Sequence, residues 1–189
     1  MRAAGDDAGP FLQLIIAALD QAEIPHMLVG SFASGVHGPP RFTNDIDLVI
    51  DPTPDSLGKL IRFLSEADVY VNAEVAKDEL DRRGQFNVIE DSGTWKADLV
   101  YRKDRAFSRS EFERRIAASV LGVPLFLATA EDTILAKLEW ARIGGGSEQQ
   151  LRDVRGIVDV RADNLDLPYI EQWLDELGVR DLWNRVRED

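Results

Sequence analysis

Acidic and apolar residues alternate at the start of segment 45–50, which reads Asp-Ile-Asp-Leu-Val-Ile. In an extended strand, side chains two positions apart project to the same face. The pattern therefore predicts a central strand that carries Asp45 and Asp47 together on one face, while Ile46 points to the other. A shorter apolar run at 26–29 predicts a neighbouring strand.

Helical periodicity surrounds these strands. Apolar residues recur at helical spacing over 11–23, and the pattern is helical again after Thr129. We expect a mixed-sheet α/β (α+β) unit over 1–128 and a helical unit over 129–189. The predicted helices are 11–23, a helix beginning at 31–36, 56–66, 73–83, 131–143, 148–161, 169–177 and 180–186. The predicted strands are 26–29, 45–50, 69–71, 86–89 and 97–101, with a further strand or hairpin at 120–127.

The composition is that of an ordinary globular protein, with 44% apolar and 30% charged residues among 189. The chain has no cysteine, which excludes disulfides, thiolate zinc sites and cysteine nucleophiles and favours the cytoplasm. No segment approaches the roughly 18 apolar residues of a membrane span. Residues 1–10 also lack the pattern of a signal peptide.

The charge balance limits the partners. With 22 basic and 34 acidic residues the net charge is −12, which argues against broad contact with a nucleic-acid backbone and favours a small or locally held acceptor. A local RNA contact stays open, because six cations fall within fourteen residues. They are Arg102, Lys103, Arg105, Arg109, Arg114 and Arg115.

Asp45 and Asp47 are the strongest candidates for chemistry. Adjacent carboxylates repel one another unless a cation lies between them, and Mg2+ prefers such oxygen ligands together with substrate phosphates. An isolated Asp-x-Asp is more often a solvated turn or a helix cap. Here the apolar residues 48–50 predict a buried strand, and an acid pair at its end needs a partner. We therefore interpret the pair as a metal site.

Gly30 and Ser31 follow the first predicted strand and begin a helix. Glycine adopts backbone angles that other residues avoid and lets a phosphate approach the main chain. The free N–H groups of a helix start, aided by the serine hydroxyl, bind anions. The same dipeptide also occurs as an ordinary strand-to-helix turn, so its functional interpretation depends on the acids downstream.

Asp98 is the single acid in the strand-like segment 97–101. A carboxylate there could face solvent on an edge strand, or it could complete the site as a third carboxylate. In the second case it would ligate a second metal and accept the proton of an attacking hydroxyl. Two ions roughly 3.5–4 Å apart stabilise the attacking and leaving oxygens of an in-line displacement.

These segments resemble the nucleotidyltransferase superfamily with the polymerase-beta-like fold. Its motif is an apolar residue, Gly, Gly or Ser, a gap, and Asp-x-Asp between apolar residues, as in Gly30-Ser31 and Asp45-Ile46-Asp47-Leu48. The chain looks most similar to the small bacterial enzymes of the abortive-infection and toxin-antitoxin group. That resemblance implies an Mg2+-dependent enzyme with two ions, Mn2+ being an alternative, and a cognate toxin or antitoxin partner.

The resemblance also implies roles for more distant residues. Lys137 would contact the nucleotide phosphates, Asp153 would position Lys137 or the nucleotide, and Arg41 and Thr43 would lie on the face of the acids. Lys137 could instead extend along an apolar stripe, and Arg41 and Thr43 could be ordinary loop residues. Relatives often carry a further acid where this chain has Gly156. The four tryptophans are interpreted as core or interface residues.

We therefore expect a cytoplasmic enzyme that transfers a nucleotidyl group from a nucleoside triphosphate to a hydroxyl and releases pyrophosphate. The acceptor is left open among a transfer-RNA end, a protein and a small molecule. One alternative is a catalytically idle nucleotide-binding or antitoxin-like module. Another is an aminoglycoside-type transferase, which would have an acidic pocket for a polycationic acceptor.

Overall fold

A single mixed sheet organises the chain in the computed structural model, which describes residues 8–188. Within them, seven strands lie in the order β3-β4-β5-β2-β1-β7-β6. The strands are β1 His26–Val29, β2 Asp45–Ile50, β3 Val69–Val71, β4 Gln85–Glu90, β5 Lys96–Tyr101, β6 Ile116–Val120 and β7 Val123–Leu127. Strand β2 pairs antiparallel with β1 and parallel with β5, so the acid-bearing strand is central, as predicted.

Nine α-helices complete residues 8–188. They are α1 Ala8–Gln21, α2 Gly30–His37, α3 Pro54–Ser65, α4 Ala73–Arg82, α5 Ala106–Glu113, α6 Ala130–Ile143, α7 Glu148–Arg161, α8 Leu167–Leu177 and α9 Arg180–Glu188. The predicted α/β class with a helical C-terminal part is confirmed. Residues 1–7, where the absence of a signal peptide was predicted, lie outside the described residues. No helix within 8–188 is long and apolar enough to cross a membrane.

The apolar side chains form two main clusters. One joins the sheet to α1 and α3, with Leu48 and Leu99 fully buried in it. The other lies among α6, α7, α8 and α9 and includes Trp173 and Trp183. The division of the chain at residues 128 and 129 stays a prediction, although each of its two parts contains one of these clusters.

Helix α5 is the element that sequence periodicity missed. Its eight residues carry five polar or charged side chains that conceal the apolar pattern. The helix nevertheless buries Phe107, Ser108, Glu111 and Phe112. It is therefore packed into the molecule, and it brings Glu111 to the cleft described below.

Candidate active site

Three carboxylates meet on one face of the sheet. Strands β2 and β5 are paired in parallel so that Asp47 lies opposite Asp98 and Asp45 lies opposite Lys96. Alternation sends Ile46 and Leu48 to the other face, where both are fully buried. The structure therefore brings together the three acids that the sequence singled out, with Asp98 on a strand that is paired on both sides.

Asp47 is tied to the beginning of helix α2. Its carboxylate accepts a hydrogen bond from the backbone N–H of Ser31. Burial, followed by the charges of Asp98 and Asp45, raises the pKa of Asp47 to about 6. Gly30 makes this contact possible, because a Cβ there would lie 2.0 Å from Asp47 Oδ2. Its φ of +64° also favours glycine.

Lys96 is a site residue that the sequence analysis did not single out. Its Nζ lies 3.0 Å from Asp98 Oδ2 and 3.3 Å from Asp45 Oδ1, so the ammonium group bridges two of the three acids. Burial lowers the pKa of Lys96, but hydrogen bonds and charge from Asp98 and Asp45 outweigh it, and the pKa lies above its ordinary value. The Lys-x-Asp spacing of residues 96 and 98 was the available signal, since it puts both side chains on one face.

The donor set suits a hard divalent cation. Within 8–188, no group of three or more His, Asp or Glu side chains is arranged to hold a metal ion directly, and the Lys96 ammonium lies between two of the acids. Asp98 Oδ1, however, is buried without a hydrogen-bond partner among the described residues. The mutual repulsion that raises the pKa of Asp47 would be relieved by a cation. Asp45 and Asp47 are the residues that would hold Mg2+.

A second cluster flanks the acids and carries positive charge. Lys137 Nζ donates to Asp153 Oδ2 at 2.7 Å and to Gln150 at 2.9 Å. Arg41 Nε donates to the same Asp153 oxygen at 3.2 Å, and its guanidinium also donates to the Ser31 hydroxyl. The cluster links α2, α6, α7 and the loop before β2. The structure thus places Ser31, Arg41, Lys137 and Asp153 in one hydrogen-bonded network.

The ionisation of this network follows from its burial. The side chains of Lys137 and Asp153 are only 5% and 9% exposed. Burial lowers the pKa of Lys137, and Asp153 opposes that shift. Burial also acts on Asp153, but the hydrogen bond and charge of Lys137 hold the pKa of that carboxyl below its ordinary value. The pair is therefore fixed in place before any phosphate binds.

Two positions of the predicted motif have local roles. Thr43 Oγ1 accepts a hydrogen bond from the backbone N–H of Asp45 at 3.3 Å and has no contact with the cation cluster. Gly156 lies against Pro39, whose Cδ would be 2.7 Å from a Cβ at position 156. The packing of Pro39 therefore leaves no room for a side chain at position 156.

The acids open into a cleft of about 350 Å³ between the sheet and helices α5 and α6. Gly30, Ser31, Asp47, Asp98 and Lys137 line it. Further acids line it as well, and they are Glu111, Asp132 and Glu139. Asp132 accepts hydrogen bonds from Thr129 and Tyr169, and Glu139 accepts two from Arg105.

Glu111 is the cleft acid with the least compensation. It is 8% exposed, and burial, followed by the charge of Asp132, raises the pKa of Glu111 to about 8. Near neutral pH the carboxyl therefore keeps its proton. A cationic group next to Glu111 would favour its ionised form. Glu111 would therefore become negatively charged when a cationic ligand binds in this part of the cleft.

Three of the four tryptophans are buried in the core, as predicted, and the basic segment offers less free charge than its sequence suggests. Trp95, Trp173 and Trp183 are buried, whereas Trp140 is 56% exposed and lines the cleft. In the segment 102–115, most cations are paired with protein acids or aromatic rings. Arg102 pairs with Asp51, Arg105 with Glu139, Arg109 with Asp104, and Arg114 with Glu131 and Asp132, while Arg115 stacks on Phe112 and Phe126.

No protein-family model and no curated protein matches the chain, but solved structures do. The antibiotic-resistance factor ANT(2'')-Ia in solution aligns with a TM-score of 0.62 at 17% identity, covering 97% of this chain and 98% of that one. An antigenic nucleotidyltransferase-like protein from Paracoccidioides brasiliensis aligns with a TM-score of 0.53 at 16% identity, covering 96% and 93%. The chain has the nucleotidyltransferase fold.

A further neighbour with the nucleotidyltransferase fold is the lincosamide antibiotic adenylyltransferase LnuA in its lincomycin-bound form. It aligns with a TM-score of 0.53 at 12% identity, covering 80% of this chain and 96% of that one. ANT(2'')-Ia has also been crystallised in complex with adenylyl-2''-tobramycin. These alignments confirm the predicted fold; the resemblance to the toxin-antitoxin group stays a prediction.

Proposed function

We propose that this protein is a nucleotidyltransferase that moves a nucleoside monophosphate from a nucleoside triphosphate to a hydroxyl group and releases pyrophosphate. One observation carries the proposal. Asp47 and Asp98 lie opposite each other on paired strands, and Asp45 lies on the same face, beside a fixed cluster of Ser31, Arg41 and Lys137. Carboxylates that can bind a metal cation and basic side chains that can bind phosphates therefore lie beside the same cleft.

The chain's own groups divide the work. Lys137 and Arg41 bind the phosphates, Gly30 and Ser31 form the wall beside them, and Asp153 positions both cations. The acceptor oxygen attacks the α-phosphorus, the bond from that phosphorus to the bridging oxygen breaks, and the hydroxyl proton passes to the Asp98 carboxylate. Asp45 and Asp47 would hold Mg2+, which would supply charge stabilisation for the phosphoryl oxygens.

The acceptor is a small molecule that carries amino groups as well as a hydroxyl. The cleft of about 350 Å³ suits a small ligand better than a macromolecule. The basic segment 102–115 is largely paired with protein acids, which leaves little positive charge for a transfer-RNA backbone. Asp132 and Glu139 are already paired with Arg114 and Arg105, so the feature that favours a cationic ligand, as in the aminoglycoside-type alternative, is the buried Glu111, whose ionised form an amino group would stabilise.

The first test is transfer of labelled nucleotide. Purified protein is incubated with each α-labelled nucleoside triphosphate, Mg2+ and three acceptors, namely an amine-rich aminocyclitol, a neutral sugar and total RNA. We expect label on the aminocyclitol, and a loss of at least 10³-fold in Asp47→Asn, because that substitution removes a metal ligand. Asp159→Asn, an exposed change on α7, is the matched control and should retain full activity.

The same experiment separates the remaining candidates. Label on RNA or on a co-purified protein would replace the small acceptor with a macromolecular one, as a toxin-antitoxin role requires. Nucleotide binding without transfer to any acceptor would favour the idle module. One observation supports that second candidate, because the Lys96 ammonium lies within 3.3 Å of both Asp45 and Asp98 and offsets part of the charge that would otherwise attract a metal. Glu111→Gln should raise the KM for the aminocyclitol about tenfold with little change in kcat.

A further inference from the structure

The position of Lys96 bears on how many cations the site can hold. Its Nζ lies within 3.3 Å of oxygens on both Asp45 and Asp98, which belong to neighbouring strands. In a site with two divalent ions, the second ion would lie among these same carboxylates. An ammonium group and a divalent ion cannot share that place, because both their volumes and their charges conflict.

Backbone geometry fixes Lys96 in this place. It pairs with Asp45 across the β2–β5 ladder and precedes Asp98 by two residues, so all three side chains project from one face. The side chain is 34% exposed, whereas that of Asp98 is 15% exposed. The methylene chain of Lys96 therefore extends along the sheet surface, and its ammonium group contacts Asp98, a carboxylate that has little access to water.

The two carboxylate oxygens of Asp98 differ in their hydrogen bonding. Oδ2 accepts from Lys96 at 3.0 Å, while Oδ1 is buried and has no partner among the described residues. Lys96 thus satisfies one oxygen and leaves the other to accept a proton. A carboxylate used in this way serves as a base without ligating a metal.

We propose that the Lys96 ammonium group takes the place of the second divalent cation, so that the chain binds a single Mg2+ on Asp45 and Asp47. The inference rests on the proposed nucleotidyl transfer. In that reaction Lys96 is a positioning residue, since it orients Asp98 and contributes the positive charge that the second ion would otherwise supply. The proposal is an alternative to the two ions expected from the sequence, and it is specific to a chain with lysine at this position.

The test counts bound ions and needs no turnover. Mn2+ is titrated into the full-length protein with a saturating nucleoside triphosphate analogue whose α,β-bridging oxygen is a methylene group, and binding is followed by calorimetry and electron paramagnetic resonance. We expect one Mn2+ per chain for wild type and for Lys96→Arg, which keeps the cation. Lys96→Gln should bind two, with the line broadening of ions roughly 3.5–4 Å apart.

Lys59→Gln is the matched control, because Lys59 pairs with the exposed Glu23 and is not among the residues that line the cleft. It should bind one Mn2+. Circular dichroism verifies that each variant is folded, and Lys96→Met provides a second neutral replacement if Lys96→Gln is not. Two ions in wild type, or one ion in both folded neutral variants, would overturn the proposal. A wild type that binds one ion yet transfers no label would contradict the proposed function alone.

Discussion

The two faces of the sheet are built from the same strands and serve opposite purposes. On β2, Ile46 and Leu48 belong to the main apolar cluster with α1 and α3 and are fully buried, whereas Asp45, Asp47 and Val49 project from the other face, where Asp47 and Val49 line the cleft. The first face gains stability from apolar area removed from water. The second face carries several carboxylates, which repel one another unless a cation binds between them. One strand therefore supports the fold on one side and the chemistry on the other.

The comparison shows that adjacent residues of one strand contribute to different properties, one to the stability of the fold and the next to the chemistry of the site. Side chains on the α1 face should affect the free energy of unfolding but not the intrinsic transfer rate. Side chains on the cleft face should do the reverse unless they are buried, as Glu111 and Asp153 are. The predictions below test this division in order of their expected effect on stability.

The neighbouring pair Leu48 and Val49 gives the largest contrast. Leu48→Ala should lower the free energy of unfolding by about 2–5 kcal/mol, because it leaves a cavity in the main cluster. Val49→Ala, on the half-buried cleft face, should cost less than about 1.5 kcal/mol. Urea unfolding of both variants provides the measurement. Equal losses would show that the two faces do not differ in their contribution to stability.

Glu111 links the cleft face to pH. Its folded-state pKa is about 8 against an ordinary 4.5, so between these values the folded chain holds a proton that the unfolded chain has lost. Stability should therefore fall as pH rises from about 4.5 to 8 and then level off. Glu111→Gln cannot titrate, and its stability relative to wild type should rise by an amount on the order of 5 kcal/mol across that range.

Paired urea titrations of wild type and Glu111→Gln between pH 4.5 and 9 measure this effect, because the contributions of other groups cancel in the difference. A difference that stays constant with pH would mean that Glu111 is ionised in the folded protein. In that case the cleft would carry a permanent charge there.

Asp153→Asn removes the carboxylate shared by Lys137 and Arg41. We expect a loss of about 2–3 kcal/mol, since the 5%-exposed Lys137 would keep its charge with only amide partners. The KM for the nucleoside triphosphate should also rise, because both cations lose their anchor. Asp159→Asn on the same helix is the control for stability. Unchanged stability together with unchanged KM would remove Asp153 from the site.

Gly30→Ala should have the smallest effect on stability, about 1–2 kcal/mol, which is the cost of a left-handed backbone for alanine. Its effect on transfer should be far larger, because the new Cβ displaces the Asp47 carboxylate. Gly58→Ala, in the interior of α3 with open space around it, should leave transfer unchanged and raise stability by about 0.5–1 kcal/mol. Steady-state kinetics and thermal unfolding together provide the measurement. Normal transfer by Gly30→Ala would mean that Asp47 can move without loss.

Alternation and helical spacing were enough to predict much of this molecule. The β2 pattern predicted the central strand, and the segment 97–101 predicted its partner, since each carries apolar residues at every second position. Helix α5 was missed because polar residues outnumber its buried phenylalanines. Glu111 was missed for the same reason, as nothing local marks a glutamate that only tertiary packing buries.

Lys96 shows the limit of sequence interpretation more sharply. Its spacing from Asp98 was visible, but its partner Asp45 lies 51 residues earlier, and only the β2–β5 register brings the two together. The connection from Asp153 to Arg41 is likewise made by folding, across 112 residues. The resemblance supplied Lys137 and Asp153, whose hydrogen bond needs the packing of α6 against α7.

The contact between Pro39 and Gly156 has a consequence for how this site could change over generations. A side chain at position 156 would collide with the proline ring, and a side chain at position 38 would lie 2.9 Å from the main chain of Gly156. An acid could therefore be acquired on this turn of α7 only after residue 39 had become smaller. Because Arg41 lies two residues further along the same loop, a substitution at residue 39 would also move Arg41, which belongs to the cation cluster. We therefore expect residues 39 and 156 to change together in evolution.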